Sequence, residues 1–271
     1  MSIDEVSLSQ GELYTFVTNK EGRGKRGSLV ASIKGTRAND IVYVLDKIPI
    51  ESRKTVTEVT LDMAKNMESA VKRSFPCSKL VTDRFHVVKL VIDALQHVRV
   101  KLRWQELDIE NDKIKKSKKE SVKYSPTILE NGDTPKQLLA RCRYILAKKK
   151  SNWTESQKFR AYILFQEYPI LKRAYNHTME LRNIYEQQNK SDAKEQINNW
   201  ITKSMSLEIK EFHIASNSIQ YHIDHILNFF NNRSTNANAE SFNAKIKLFR
   251  SNLRGVTDTT FFLFRLYKLF A

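Results

Sequence analysis

Residues 56–83 read VTEVTLDMAKNMESAVKRSFPCSKLVTD. Val56 to Leu61 is rich in β-branched residues and reads as a strand. Met63, Met67, Ala70, Val71 and Phe75 then mark one side of a helix that Pro76 ends, and Lys79 to Thr82 is a second short, buried strand. Strand, helix and strand in this order make a crossover, which parallel neighbours require because no tight turn can join them. Upstream, Ile3 to Val6, Leu13 to Val17 and Leu29 to Ile33 are short strand-like runs separated by turn residues. Asn39 to Ile48 carries Ile41, Val44, Leu45 and Ile48 at helical spacing, and Pro49 stops it. The resulting order, βββαβαβ, predicts an α/β domain of about 100 residues, a mixed sheet covered by helices.

Helical spacing takes over downstream. Val88, Val91, Ile92, Leu95, Val98 and Leu102 form an amphipathic stripe between Val87 and Leu107. From Asp108 to Pro135, Lys113, Lys115, Lys116, Lys118 and Lys119 together with Pro126, Asn131-Gly132 and Pro135 read as a charged linker or mobile loop. Residues 137–230 return to helical spacing, and their aromatics Trp153, Phe159, Tyr162, Phe165, Tyr168 and Trp200 are expected mostly in a core.

Composition narrows the function. Lys and Arg number 46 against 30 Asp and Glu, a net charge of +16, which calls for a polyanionic partner. The hydrophobic share of 41% is enough to build a core, so a disordered basic tail is excluded. Only Cys77 and Cys142 are present, which excludes a disulfide framework or a four-cysteine zinc module and suits a reducing cytosol. No apolar run approaches the roughly 18 residues of a membrane span, and the start, Met1-Ser2-Ile3-Asp4-Glu5, is acidic where a signal peptide is basic. A soluble intracellular protein with no membrane partner is expected.

Gly22, Gly24 and Gly27 match G-x-G-x-x-G, but that fingerprint needs a strand turning into a helix, and here another strand follows. The segment reads instead as a basic hairpin tip, with Lys25 and Arg26 near a phosphate backbone. Three carboxylates stand out by context: Asp4 in the first strand, Asp62 at the end of the fourth, and Glu240 on a late helix. On that helix Asn236, Glu240, Asn243 and Lys247 share a polar face, while Ala239, Phe242, Ile246, Phe249 and Leu253 form the apolar one. Three gathered carboxylates repel one another unless a cation joins them, and oxygen-only donors favour two Mg²⁺ or Mn²⁺ ions. His222 and His225 flank Asp224 at the spacing of a metal pair, yet no further soft ligand follows, so they read as a helix face.

Asp62-Met63 after a strand, Phe75-Pro76, Val81-Thr-Asp-Arg-Phe-His-Val-Val-Lys89, Asn236-Ala-Asn-Ala-Glu-Ser-Phe-Asn-Ala-Lys-Ile-Lys247 and Arg254-Gly255 together resemble the DDE transposases of bacterial insertion sequences, specifically the ISL-three family. The resemblance spans nearly the whole chain. It implies a ribonuclease H-like core in 1–107, a helical insertion with a charged linker at its start in 108–235, and completion of the core by 236–271.

The resemblance also implies that Asp4, Asp62 and Glu240 are the catalytic metal ligands for two Mg²⁺ or Mn²⁺ ions, with Asp83 the substitute for Asp4. His86 is implied at the scissile phosphate or beside a carboxylate, its alternative being a hydrogen-bonded cap of the following helix. Lys89, Asn243, Lys247 and Arg250 are implied at DNA. Transposon ends and target DNA are the implied partners, a homodimer on DNA the implied assembly, and a bacterial cytoplasm, close to the nucleoid, the implied location. The family's usual amino-terminal zinc segment and helix-turn-helix are not found, so the chain is expected to be the catalytic part, either working with a separately encoded DNA-binding subunit or left as a truncated copy. The family's aromatic a few residues after the second acid is replaced by Met67. A catalytically silent basic DNA-binding remnant, and a nuclease without strand transfer, are the competing readings.

Overall fold

The computed structural model describes residues 1–8, 11–253 and 258–271. They form two compact units, Met1–Val87 with His222–Ala271, and Val88–Tyr221.

The first unit is built on strands β1 (Ser2–Ser7), β2 (Leu13–Thr18) and β3 (Leu29–Lys34), helices α1 (Ala38–Leu45) and α2 (Ile50–Lys54), strand β4 (Glu58–Leu61), helix α3 (Lys65–Ser74) and strand β5 (Lys79–Thr82). Among the described residues the sheet has five strands in the order β3-β2-β1-β4-β5. β1, β2 and β3 pair antiparallel, whereas β1, β4 and β5 pair parallel. This is the mixed sheet expected from the order of elements, consistent with the ribonuclease H-like core that the resemblance implies.

Strand alternation sorts the side chains onto two faces. Ile3, Val17, Ala31, Ile33, Val59, Leu61 and Leu80 pack with Ile41 and Leu45 of α1 and Met67, Ala70 and Val71 of α3. Met67 is therefore a core residue. Val6, Tyr14, Phe16 and Leu29 face the other way, against Phe242 and Ile246 of a late helix and Phe262 and Leu266 of the last one. The β2–β3 connection is the basic tip. Gly22 is required there by close approach, since an added Cβ would lie 2.4 Å from Ser28 Oγ. The next element is β3, so the glycine motif does not open a helix.

Helix α4 (Arg84–Lys119) begins in the first unit and runs into the second as 36 continuous residues, about 54 Å at 1.5 Å per residue. The linker expected from Asp108 therefore starts only after Lys119. Ion pairs such as Lys115 to Asp112 (3.4 Å) and Lys116 to Glu120 (3.9 Å) follow the helical repeat through this run.

The second unit continues with α5 (Pro135–Arg141), α6 (Arg143–Leu146), α7 (Glu155–Glu167), α8 (Pro169–Ile184), α9 (Lys190–Ser206) and α10 (Lys210–Tyr221). Its core holds Trp153 against Tyr175, ring centroids 5.3 Å apart, and His177 stacked on Trp200 at 4.4 Å. Each indole N–H is satisfied by a backbone carbonyl, Ile145 for Trp153 and His177 for Trp200. Two aromatics depart from expectation: Phe159 and Tyr162 are exposed, on the outer side of α7.

The chain returns to the first unit through α11 (Ile223–Asn232), α12 (Ala237–Asn252) and α13 (Thr259–Phe270). α11 covers the β5 edge, where Asn228 Nδ2 donates to the Leu80 carbonyl at 2.9 Å. No helix among the described residues is long and apolar enough to cross a membrane.

Candidate active site

Parallel pairing brings the first two acids together. Ser2 on β1 is in register with Thr60 on β4, so two residues further along each chain Asp4 comes level with Asp62, just past the end of β4. Neighbouring strands lie about 4.8 Å apart. Asp62 Oδ1 accepts the Ala64 N–H at 2.9 Å, a local turn that launches α3 and fixes the carboxylate at the strand's carboxyl end.

α12 supplies the third acid. Ser2, Asp4 and Val6 share one face of β1, and that face meets α12. Ser2 Oγ donates to Asn236 Oδ1 at 2.8 Å, and Asn243 Nδ2 donates to Asp4 Oδ2 at 2.6 Å. Glu240 stands between these two asparagines on the same helical face, open to solvent. The opposite side of α12 is fixed by Phe242, Ile246, Phe249 and Leu253 in the core. Asn243 was expected at DNA, but its amide instead holds a carboxylate. The repeating asparagines around Glu240 and the alternating Ser2 and Asp4 are the only sequence traces of this clasp.

Electrostatics link the three acids. The Asp4 carboxyl is pushed up to about 6 from its usual 3.8. Burial is the main cause; the His86 imidazole and the Glu5 N–H oppose it, while the Asp62 and Glu240 carboxylates push it higher. Asp62, Glu240 and His86 thus each act on Asp4 through space. The three carboxylates offer the oxygen donors that a hard divalent ion takes, although among the described residues their ligand atoms do not all lie within 4.8 Å of one another.

Asp83 sits differently. It is almost fully buried, its Oδ1 takes the Phe85 N–H at 3.4 Å, and its carbonyl accepts from His86 and Val87, so it starts α4. Beside it the Lys20 ammonium is pushed below its usual range by burial, with Glu58 and Asp83 pulling the other way. His86 belongs to the first turn of α4, its ring edge-on to Phe85 at 5.5 Å.

The basic residues divide by environment. Lys25, Arg26 and Lys247 are exposed, and Lys245 Nζ donates to the Gly24 carbonyl at 3.1 Å, tying α12 to the basic tip. Lys89 is exposed and pairs with Asp93 at 3.0 Å. Arg250, expected at phosphate, is buried within the fold instead. It donates to both Glu12 oxygens, at 3.2 and 3.1 Å, and lies 5.3 Å from the Phe262 ring centroid. Such a two-pronged ion pair holds α12 to the β2 end of the sheet, and removing one member of a buried pair typically costs about 3 to 5 kcal/mol. Arg254-Gly255 lies outside the described residues.

No curated protein and no solved structure matches the chain. A family model described as Transposase, the ISL3-type DDE family, matches residues 1–266. That match covers the sheet, the helical second unit and α12 together, and with it the chain belongs to the ISL-three family of DDE transposases.

Proposed function

We propose that this transposase cuts DNA at the ends of an insertion sequence and joins the freed 3′-hydroxyl to target DNA, with Asp4, Asp62 and Glu240 holding two Mg²⁺ or Mn²⁺ ions. The observation that carries this reading is the placement of the three carboxylates: Asp62 comes level with Asp4 on the neighbouring parallel strand, α12 carries Glu240 past Asp4, and both acids add to the burial that raises Asp4 to about 6. When bound, the ions would supply activation of the attacking oxygen and stabilisation of the leaving one.

The chain's own residues set the geometry. The Asn243 amide orients Asp4, the Ala64 N–H orients Asp62, and the packed side of α12 aims Glu240. Water and then a 3′-hydroxyl attack in line, so no covalent protein–DNA intermediate forms. His86, facing the Asp4 carboxylate electrostatically, is assigned to orient it or to touch the scissile phosphate. Lys25, Arg26, Lys89 and Lys247 are assigned to the DNA backbone, supported by a net charge of +16. The helical second unit is read as an insertion between the sheet and α12. Two copies synapsing two ends, with end recognition by a separately encoded DNA-binding subunit, complete the proposal.

The test is a cleavage and joining assay on DNA carrying the element's own terminal sequences, with Mg²⁺ or Mn²⁺ and that subunit present. The expected result is nicked ends followed by strand-transfer products, both abolished by a chelator. Nicking without joining would reduce the protein to a nuclease, and DNA binding without either would leave a silent scaffold.

A further inference from the structure

A second group of side chains of metal-ligating type, sharing no residue with the carboxylate trio, lies on the first unit. His222 stands at the amino-terminal cap of α11 and His225 one turn further on, and α3 brings Glu68 to them. The histidine spacing is visible in sequence; the third donor comes from a distant helix. One donor atom of each residue lies within 4.8 Å of the other two. Glu68 Oε2 is 3.7 Å from His222 Nδ1, too far for a hydrogen bond. Donors around a tetrahedral ion with bonds of about 2.1 Å are about 3.4 Å apart, so small side-chain rotations close these three on one centre.

The carboxylate is prepared for a ligand. Glu68 Oε1 accepts from Lys72 Nζ at 2.6 Å, while Oε2 is buried and has no hydrogen-bond partner. A buried carboxylate oxygen without a donor is rare in a folded protein and calls for a cation. A neighbouring group that fixes one oxygen and leaves the other to the metal is the usual outer support of such sites.

We propose that Glu68, His222 and His225 bind a Zn²⁺-class ion, with the fourth position open to water. Two imidazoles and one carboxylate are the donors that borderline ions prefer, whereas Mg²⁺ prefers oxygen alone. The ion would fasten α3, which follows Asp62, to α11, which leads into α12 and Glu240. It would thereby join the two chain segments that make up the first unit. The site stands whether or not the carboxylate trio cuts DNA.

The full chain, stripped with a chelator and dialysed, is titrated with Zn²⁺ and with Co²⁺. About one ion per chain, the visible absorption of low-coordinate Co²⁺ and a Tm that rises with Zn²⁺ are expected. Glu68→Gln and His225→Ala should each weaken binding more than about 100-fold, since even outer partners of a metal ligand are worth about 10- to 100-fold. The double variant Asp62→Asn with Glu240→Gln should bind Zn²⁺ like the wild type, and millimolar Mg²⁺ should not compete. Should either cluster variant fail to fold, X-ray absorption of the Zn²⁺-loaded wild type decides: two imidazoles with oxygen donors are expected. Absence of saturable binding, binding indifferent to Glu68 and His225, binding lost with Asp62 and Glu240, or a zinc spectrum without imidazole would each overturn the proposal.

Discussion

Asp62→Asn and Glu240→Gln are each expected to lower Mg²⁺-dependent strand cleavage by at least about 1,000-fold while leaving DNA affinity within about twofold. Each substitution keeps size and shape but removes one unit of negative charge from a site whose role is to hold cations. Stabilisation of a reacting phosphodiester by a bound ion is worth several kcal/mol, and each 1.36 kcal/mol is tenfold in rate. Neither side chain supports the core: Asp62 is half-buried at a strand end and Glu240 is exposed on α12. Stability should therefore change little, and single-turnover cleavage measured beside a binding isotherm separates the two effects. Activity within tenfold of wild type in both variants would remove these residues from the metal site.

Asp4→Asn should act in opposite directions on stability and activity. The folded carboxyl titrates near 6 and the unfolded one near 3.8. Between those values the folded chain keeps a proton that the unfolded chain has lost, so the contribution of Asp4 to stability is greatest below about pH 4 and is lost as pH rises through about 6. That rise corresponds to at most ~3 kcal/mol, and partial exposure and relaxation reduce it. In chelator at pH 7 the neutral amide removes that cost, and Asn243, whose Oδ1 is buried without a partner, can turn to accept from it. The variant is expected to gain about 1 to 3 kcal/mol, a few degrees in Tm for a chain of this size, and to lose its pH 4 to 6 stability slope. Its cleavage activity should fall as steeply as that of Asp62→Asn, and its Tm should no longer respond to Mn²⁺. Thermal unfolding from pH 4 to pH 8, with and without Mn²⁺, reads all three effects.

Much of the first unit is legible in the sequence because its signals are local. The run from Val56 to Thr82 carries strand, helix and strand patterning with Pro76 as punctuation, and the observed β4, α3 and β5 follow it closely. The face of α12 is legible for the same reason, since Phe242 and Ile246 recur at helical spacing. The lysine run after Asp108 is ambiguous, because charge marks solvent exposure without choosing between loop and helix, and α4 continues through it. Phe159 and Tyr162 are similarly undecided until α7 is placed, since an aromatic side chain alone does not say which face is inward.

The parts of the site that sequence hides are long-range pairings of ordinary residues. Asn243 meets Asp4 across 239 positions, and Arg250 meets Glu12 across 238. No local pattern distinguishes such an asparagine or arginine from one that faces DNA. Glu68 is equally silent, an exposed-looking acid on α3 until α11 sets two histidines against it. Asp4, Asp62 and Glu240 are visible as candidates, yet only the β1–β4 register and the α12 clasp bring them near one another.

The most direct measurement is anomalous diffraction from crystals of the full chain soaked in Mn²⁺. Strong peaks are expected within bonding distance of the Asp4, Asp62 and Glu240 carboxylates together. Manganese bound elsewhere, or a Glu240 carboxyl turned away from the other two with no ion between them, would contradict the shared metal site on which the proposed chemistry rests.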